Sequence, residues 1–220
     1  MYCLIIETLQ TNIMNKESEF WNKRYSVSEY VYGEGPNIFL KEQLKMLPVG
    51  SILFVGEGEG RNSVYAAKQG WKVSAFDISV EGKRKAERLA HKHNVEIDYR
   101  VGELHDLDYG KKQYDVIALI FTHFPSKSRA VIHKELSRYL RPGGTLIMEV
   151  FSIEQINYQV NGNSGGGPKN IDMLYTLEDI QSDFENFEII ELEETEKRLR
   201  EGGFHNGLSC VIRFVGVKIE

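Results

Sequence analysis

The chain has 220 residues, 41% hydrophobic and 27% charged, the make-up of an ordinary globular protein. That length predicts one domain with a core large enough to need no disulfide or metal staple. Lys plus Arg number 27 against 32 for Asp plus Glu, a net charge of −5, so nothing draws the whole surface toward nucleic acid or an anionic membrane.

Cys3 and Cys210 are too few for a disulfide framework or a zinc site, and both read as reduced thiols of a cytoplasmic protein. No apolar run approaches the length of about 18 residues that a membrane helix needs. The run over residues 2–6 is cut by Glu7 and has no basic segment before it, which argues against a signal peptide. Residues 1–13 match no periodic template. They are expected either to form a leader (residues 1–14) before a start at Met14, or to add a short strand to the body. Residues 15–220 are expected to form one domain.

From residue 51 the pattern alternates. SILFV (51–55) is a short apolar run closed by glycines, hence a buried strand. Residues 62–69 read as a helix stopped by Gly70, and KVSAF (72–76) as the next strand. Ser79 can cap a helix running to His93, with Glu81 near its start. Residues 95–101 read as a strand, and YDVIALIF (114–121) as a central parallel strand, because it is apolar without a break. Ser126 or Ser128 is expected to cap a helix burying Val131, Ile132, Leu136 and Leu140. The segment Arg141-Pro142-Gly143-Gly144 should break the chain before the strand 145–151. Residues 157–170, with Gly162 and Gly165 to Gly167, form the only long loop-like stretch, as expected of a functional segment. Thr176 opens a short helix by a capping pattern. Residues 187–192 and 209–218 are strands with no helix between them, which predicts an antiparallel pair at one edge. Alternating strands and helices predict a mostly parallel sheet covered on both faces.

The chemistry sits in Gly56-Glu57-Gly58-Glu59-Gly60-Arg61-Asn62, between a strand and a helix. Glycines there allow a sharp turn and a close ligand approach, at the carboxyl ends of the strands. The dinucleotide pattern G-x-G-x-x-G needs its third glycine where Arg61 stands, and the Gly-Lys-Ser/Thr ending of a P-loop is missing. Glu57 and Glu59 suit a pyrophosphate poorly. They suit S-adenosylmethionine better, since its sulfonium and ammonium outweigh its one carboxylate. Asp77, just past the second strand, is placed to accept from both ribose hydroxyls. Glu103, after the third strand, can meet an adenine amino group. Asp106 is its competitor.

The ordered set ILFVGEGEGRNSVYAA, AFDIS, VGEL, IFTHFP and LRPGGTLIMEVF resembles the class I S-adenosylmethionine-dependent methyltransferases. FWNKRY (20–25), YVYG (30–33) with Pro36-Asn37, and Glu201-Gly202 with His205 and Gly207 resemble the tellurite-resistance and thiopurine-methyltransferase-like group. The likeness spans about residues 19–218. It implies a Rossmann-like, seven-stranded, doubly wound α/β sheet, mostly parallel with an antiparallel edge strand. It implies S-adenosylmethionine as cofactor, S-adenosylhomocysteine as product, and N-terminal lid helices over 19–46. A substrate-side loop over 153–175 goes with them. Expected cofactor contacts are Arg24, Tyr25, Gly56, Glu57, Gly58, Gly60, Arg61, Asn62, Asp77, Ile78, Glu103, Leu104 and Ile120. Arg24 and Tyr25 would take the cofactor carboxylate. One departure stands out: the acid common two residues before the first glycine is Phe54.

Methyl transfer by in-line displacement rests mainly on positioning and exclusion of water. A neutral hydroxyl or amine acceptor would also need a base, for which His123 and His205 are the candidates. Trp21, Tyr30 and Tyr32 could form an aromatic lid. Arg198 and Arg200, beside Glu193, Glu194 and Glu196, read as a solvated charge run. No metal ligand set is expected, since His91 and His93 fall on different helix faces. The expected acceptor is a small molecule such as a thiol or a metalloid oxyanion. No nucleic-acid or membrane partner is expected, and the chain would act as a monomer or homodimer. A non-catalytic S-adenosylmethionine-binding module is the alternative, and a nucleotide-dependent oxidoreductase, which Arg61 argues against, is the third reading.

Overall fold

The computed structural model describes residues 16–107, 109, 113–162 and 164–219, so the expected leader lies outside the described residues. The first described element is a helix, α1 (residues 16–25). It is followed by α2 (Ile38–Met46), β1 (Ser51–Val55), α3 (Arg61–Lys68), β2 (Lys72–Asp77), α4 (Val80–Lys92) and β3 (Asp98–Val101). Next come β4 (Tyr114–Ile120), α5 (Ser126–Tyr139), β5 (Leu140–Phe151), α6 (Gln155–Val160), α7 (Leu177–Asp183), β6 (Phe187–Arg200) and β7 (Asn206–Lys218).

The strands form one sheet in the order β3-β2-β1-β4-β5-β7-β6. The first five are parallel, β7 runs antiparallel to β5, and β6 runs antiparallel to β7. The mostly parallel sheet is the one that the alternation predicts, and its seven-stranded Rossmann-like form is the one that the resemblance implies. The expected antiparallel pair is β6 and β7, with β6 at the edge. The order reverses direction between β1 and β4, which opens a crevice at the carboxyl ends of these strands.

Alternation along β1 sorts its side chains between two core layers. Leu53 and Val55 join Leu119, Met148 and Leu136 on the α5 and α7 face. Ile52 and Phe54 join Phe39, Leu40, Ala66 and Ala86 on the α2, α3 and α4 face. Phe54 is 1% exposed. It points into a helix-packed layer, where an acid would be buried without water.

Several boundaries differ from the sequence reading. Helix α5 begins at Ser126, and Pro125 occupies the cap position without a side-chain cap bond. Its buried residues are Arg129, His133, Leu136, Ser137 and Tyr139, whereas Val131 is 71% exposed. Residues Arg141 to Gly144 do not end the strand. They form an irregularity within β5, between the pairs Tyr114↔Leu140 and Val116↔Thr145, with Gly143 at φ +73°. The largest difference is β6, which continues eight residues past Leu192 and pairs with β7 down to Arg200↔Asn206. Its outer half carries charge because it is an edge strand with one side in water. Arg198 and Arg200 are exposed, as a solvated charge run should be.

The start of the expected loop over 157–170 is helical, in α6. The glycines that follow are tied down. Gly165 N donates to Leu208 O, and the Gln155 and Gln159 side chains donate to Gly166 O. Where the sequence places caps, they form. Ser79 accepts from Gly82 N, and Thr176 with Asp179 makes a full capping box.

Candidate active site

The glycine turn leaves β1 at its carboxyl end with Gly56, Gly58 and Gly60 at φ +61°, +65° and +89°. These values lie in the left-handed region, where a side chain is strained. A Cβ on Gly60 would also sit 2.6 Å from Ala86 Cα, so this glycine lets α4 pack against the turn.

Asp77, at the end of β2, holds the turn from beneath. Its Oδ2 accepts from Gly58 N at 3.0 Å and its Oδ1 from Ser79 N at 2.9 Å. Tyr99 Oη donates to Gly58 O at 2.7 Å, which fixes both backbone groups of that glycine. Burial raises the Asp77 pKa to about 6, against the backbone N–H groups that favour its ionised form. Tyr25 is buried and reaches the same place, its Oη 2.7 Å from where a Gly58 Cβ would stand.

The two loop glutamates are both engaged by the protein. Glu57 Oε1 accepts from Asn62 N (3.0 Å) and Ser63 N (2.7 Å), so it caps the start of α3. Burial pushes its carboxyl up to about 7. Glu59 pairs with Lys85 Nζ at 2.6 Å, both side chains being almost fully buried, and it accepts from Tyr32 N at 3.3 Å. Lys85 also donates to Glu29 O at 2.6 Å. Glu59 therefore fastens the segment after α1 to the turn. Burial raises its pKa, with Lys85 opposing.

Arg61 is engaged by a carboxylate. Its Nη1 donates to Glu201 Oε2 at 2.8 Å, with the side chains 7% and 8% exposed. Glu201 lies in the β6–β7 connection and also accepts from Asn37 Nδ2 at 3.2 Å. Asn37 Nδ2 reaches Glu149 Oε1 at 2.7 Å, and Asn37 N donates to Asn62 Oδ1 at 2.9 Å. Glu149, on β5, is fully buried and accepts from Lys197 and Arg213. Burial would raise the Glu201 carboxyl, but His205 and Arg61 hold it down at about 2. Glu149 and Lys85 carry no sequence signal for these roles, because their partners lie dozens of residues away.

The two histidine candidates end up in different situations. His123 follows β4 and is held through both ring nitrogens. Nδ1 lies 2.7 Å from Met173 O, and Nε2 accepts from Phe151 N at 3.4 Å. Desolvation pushes its pKa down to about 3. His205 is buried between Phe121 and Tyr32, with both ring centroids 4.5 Å away. Its Nδ1 has no hydrogen-bond partner among the described residues and lies 3.8 Å from Glu201 Oε2. Burial lowers its pKa, so the ring is neutral near pH 7. Phe121, which packs on it, has φ +56°, a strained value for a non-glycine residue at the end of the central strand.

Arg24 follows Lys23 on α1. It donates to Tyr32 Oη at 2.9 Å and lies against the rings of Phe20, Trp21 and Phe204. Tyr30 Oη donates to Lys85 O. Glu103 is half-buried after β3, and burial raises its pKa. Asp106 is the more exposed of the two acids there. Ile78 and Leu104 are half-buried beside the ends of β2 and β3, and Ile120 is 8% exposed at the end of β4. Among the described residues, no group of three or more His, Cys, Asp or Glu is placed to hold a metal ion.

This architecture is similar to that of several solved S-adenosylmethionine-dependent methyltransferases. Magnesium protoporphyrin IX methyltransferase from Synechocystis PCC 6803, solved with bound S-adenosylhomocysteine, is similar with a TM-score of 0.70 and 18% identity. That match covers 93% of this chain and 99% of that one. A methyltransferase from Methanosarcina mazei matches with a TM-score of 0.64 and 20% identity, over 81% of this chain and 97% of its own. TehB from Haemophilus influenzae matches at 0.67 and 16%, over 91% of this chain and 66% of its own. At such identities the likeness is one of fold. In sequence, residues 52–144 match the family described as methyltransferase domain, and no curated protein matches the chain. The match over residues 52–144 and the shared fold are the two likenesses on which a functional reading can rest.

Proposed function

We propose that the chain transfers a methyl group from S-adenosylmethionine to a small-molecule acceptor. The observation that carries this reading is the left-handed glycine turn held by Asp77 at the crevice between β1 and β4. Each Asp77 oxygen takes one backbone N–H and retains acceptor capacity, which suits two ribose hydroxyls. Glu103 would meet the adenine amino group, with Ile78, Leu104 and Ile120 against the ring. The backbone of Gly56 to Gly58, together with Tyr25, would border the amino-acid end.

When bound, the cofactor supplies an electrophilic methyl on a sulfur that leaves uncharged, so no acid is needed to expel it. The chain's own part is to position and to exclude water. The β6–β7 connection and the segment after α1 meet over the crevice, joined by Phe204 N to Val31 O at 3.3 Å. His205 is the group suited to take a proton from a neutral acceptor. It is buried, and burial lowers its pKa, which leaves the ring neutral and able to accept a proton. His123, held at both nitrogens, shapes the wall and orients the ends of β4 and β5.

Within the methyltransferases, the tellurite-resistance and thiopurine-methyltransferase-like group is the assignment we favour. The N-terminal FWNKRY segment and the similarity to TehB support it. Acceptors would then be thiols or metalloid oxyanions. No described helix is long and apolar enough to cross a membrane. The free, buried Cys210 is in keeping with a cytoplasmic protein, and the expected state remains a monomer or homodimer without nucleic-acid or membrane partners.

The test is S-adenosylhomocysteine release across a panel of thiols, thiopurines, tellurite and selenite, with and without His205→Ala. Release with at least one acceptor supports the reading. Firm cofactor binding with no release across the panel would turn it into a non-catalytic binding module.

A further inference from the structure

Of the cations named so far around the glycine turn and the segments that cover it, all but one are matched by carboxylates. Arg61 has Glu201, Lys85 has Glu59, and Lys197 and Arg213 share Glu149. Arg24 has no such partner. Among the described residues its guanidinium makes one hydrogen bond, to Tyr32 Oη at 2.9 Å, and no ion pair. Four of its five N–H donors are left for something else.

Its housing is aromatic. The guanidinium carbon lies 4.4 Å from the Phe204 ring centroid, 4.7 Å from that of Phe20 and 5.5 Å from that of Trp21. Phe20 and Phe204 are 52% and 49% exposed, a large apolar area to leave in water at the mouth of a site. Tyr32 links this mouth to the interior, since its hydroxyl holds Arg24 and its ring packs on His205. Tyr25, not Arg24, reaches Gly58. Through Tyr32 the cation shares a wall with His205, the candidate base of the acceptor side.

We infer that Arg24, flanked by Phe20 and Phe204, is a specificity site for the negative charge of a small organic acceptor with a planar apolar body. This rests on the methyltransferase reading and names the acceptor class for that same crevice. A guanidinium matches a carboxylate or similar planar anion with paired hydrogen bonds, and the rings cover the body attached to it. An inorganic oxyanion would gain the charge contact and leave both rings exposed.

The experiment is calorimetry on the full chain saturated with S-adenosylhomocysteine, using 1-naphthoate, the neutral 1-naphthamide and selenite as probes. The wild type should bind naphthoate about 10-fold or more tighter than naphthamide, the scale of a hydrogen bond to a charged group. Arg24→Gln should erase that preference, and Arg24→Lys should keep only part of it. Phe204→Leu should weaken naphthoate and naphthamide alike. Retained thermal melting confirms that each variant is folded. A second pair of titrations, with S-adenosylhomocysteine and with 5′-methylthioadenosine, guards against the obvious competitor. The inference predicts that Arg24→Gln leaves both unchanged. Loss of S-adenosylhomocysteine affinity alone would make Arg24 a ligand of the cofactor carboxylate and overturn the inference. Equal binding of naphthoate and naphthamide, or stronger Arg24-dependent binding of selenite, would also overturn it while leaving the methyltransferase reading in place. Absence of any S-adenosylhomocysteine binding by the wild type would instead remove that reading.

Discussion

Removing the Asp77 carboxylate separates a ligand-binding role from a purely structural one. In the folded chain it accepts from Gly58 N and Ser79 N at 3.0 and 2.9 Å. In Asp77→Ala both N–H groups lose their partner, which lowers stability by about 1–3 kcal/mol for each group left buried and unsatisfied. The binding effect is separate. If two ribose hydroxyls donate to this carboxylate, affinity for S-adenosylhomocysteine falls by roughly 1.5–3 kcal/mol, or about 10- to 150-fold. Asp77→Asn is the sharper variant. It keeps one acceptor oxygen and the side-chain volume, so it should bind more weakly than wild type while melting closer to it. Calorimetry with S-adenosylhomocysteine near neutral pH reads the affinity, and a thermal melt reads the fold. Unchanged affinity in a folded Asp77→Ala protein would refute the ribose assignment.

Three further outcomes follow from the same contacts. The folded Glu57 carboxyl titrates at about 7 rather than 4.5, so its contribution to stability is full below 4.5 and is lost as pH rises through about 7. Urea unfolding of Glu57→Gln, which keeps an acceptor for Asn62 N and Ser63 N, should therefore gain on wild type by up to about 3 kcal/mol between low and high pH, and a parallel pH course would refute the burial argument. Glu201→Gln leaves Arg61 buried without its charge partner and should cost about 3–5 kcal/mol, largely restored in the double variant with Arg61→Met; additive losses in that cycle would show the pair is not coupled. Phe54→Asp, which restores an acid two residues before the first glycine, should destabilise by at least about 3 kcal/mol, because this side chain points into a helix-packed layer; a near-wild-type melt would mean the position opens to the crevice.

The parallel half of the sheet is legible because its strands are buried on both faces and so read as unbroken apolar runs, as in residues 114–120. The glycine turn and Asp77 are legible because local spacing alone dictates them. The outer half of β6 is not, since an edge strand in water alternates weakly and resembles a charged loop. The bulge at Arg141 to Gly144 carries turn residues that the sheet absorbs. The roles of the charged residues are the least legible. Glu59, Arg61 and His123 have partners 26, 140 and 50 residues away, and only the fold brings these together. The hydrogen bonds of Glu57, Glu59 and Arg61 form a cap and two clasps, which fix the turn and tie it to the segments covering it.

The central claim is that the crevice above Asp77 binds S-adenosylmethionine rather than a dinucleotide. Calorimetric titration of the wild-type chain with S-adenosylhomocysteine, and separately with NAD, tests it most directly. Saturable one-to-one binding of S-adenosylhomocysteine, with no heat of binding from NAD, is the predicted result. Saturable binding of NAD with none of S-adenosylhomocysteine would contradict the account.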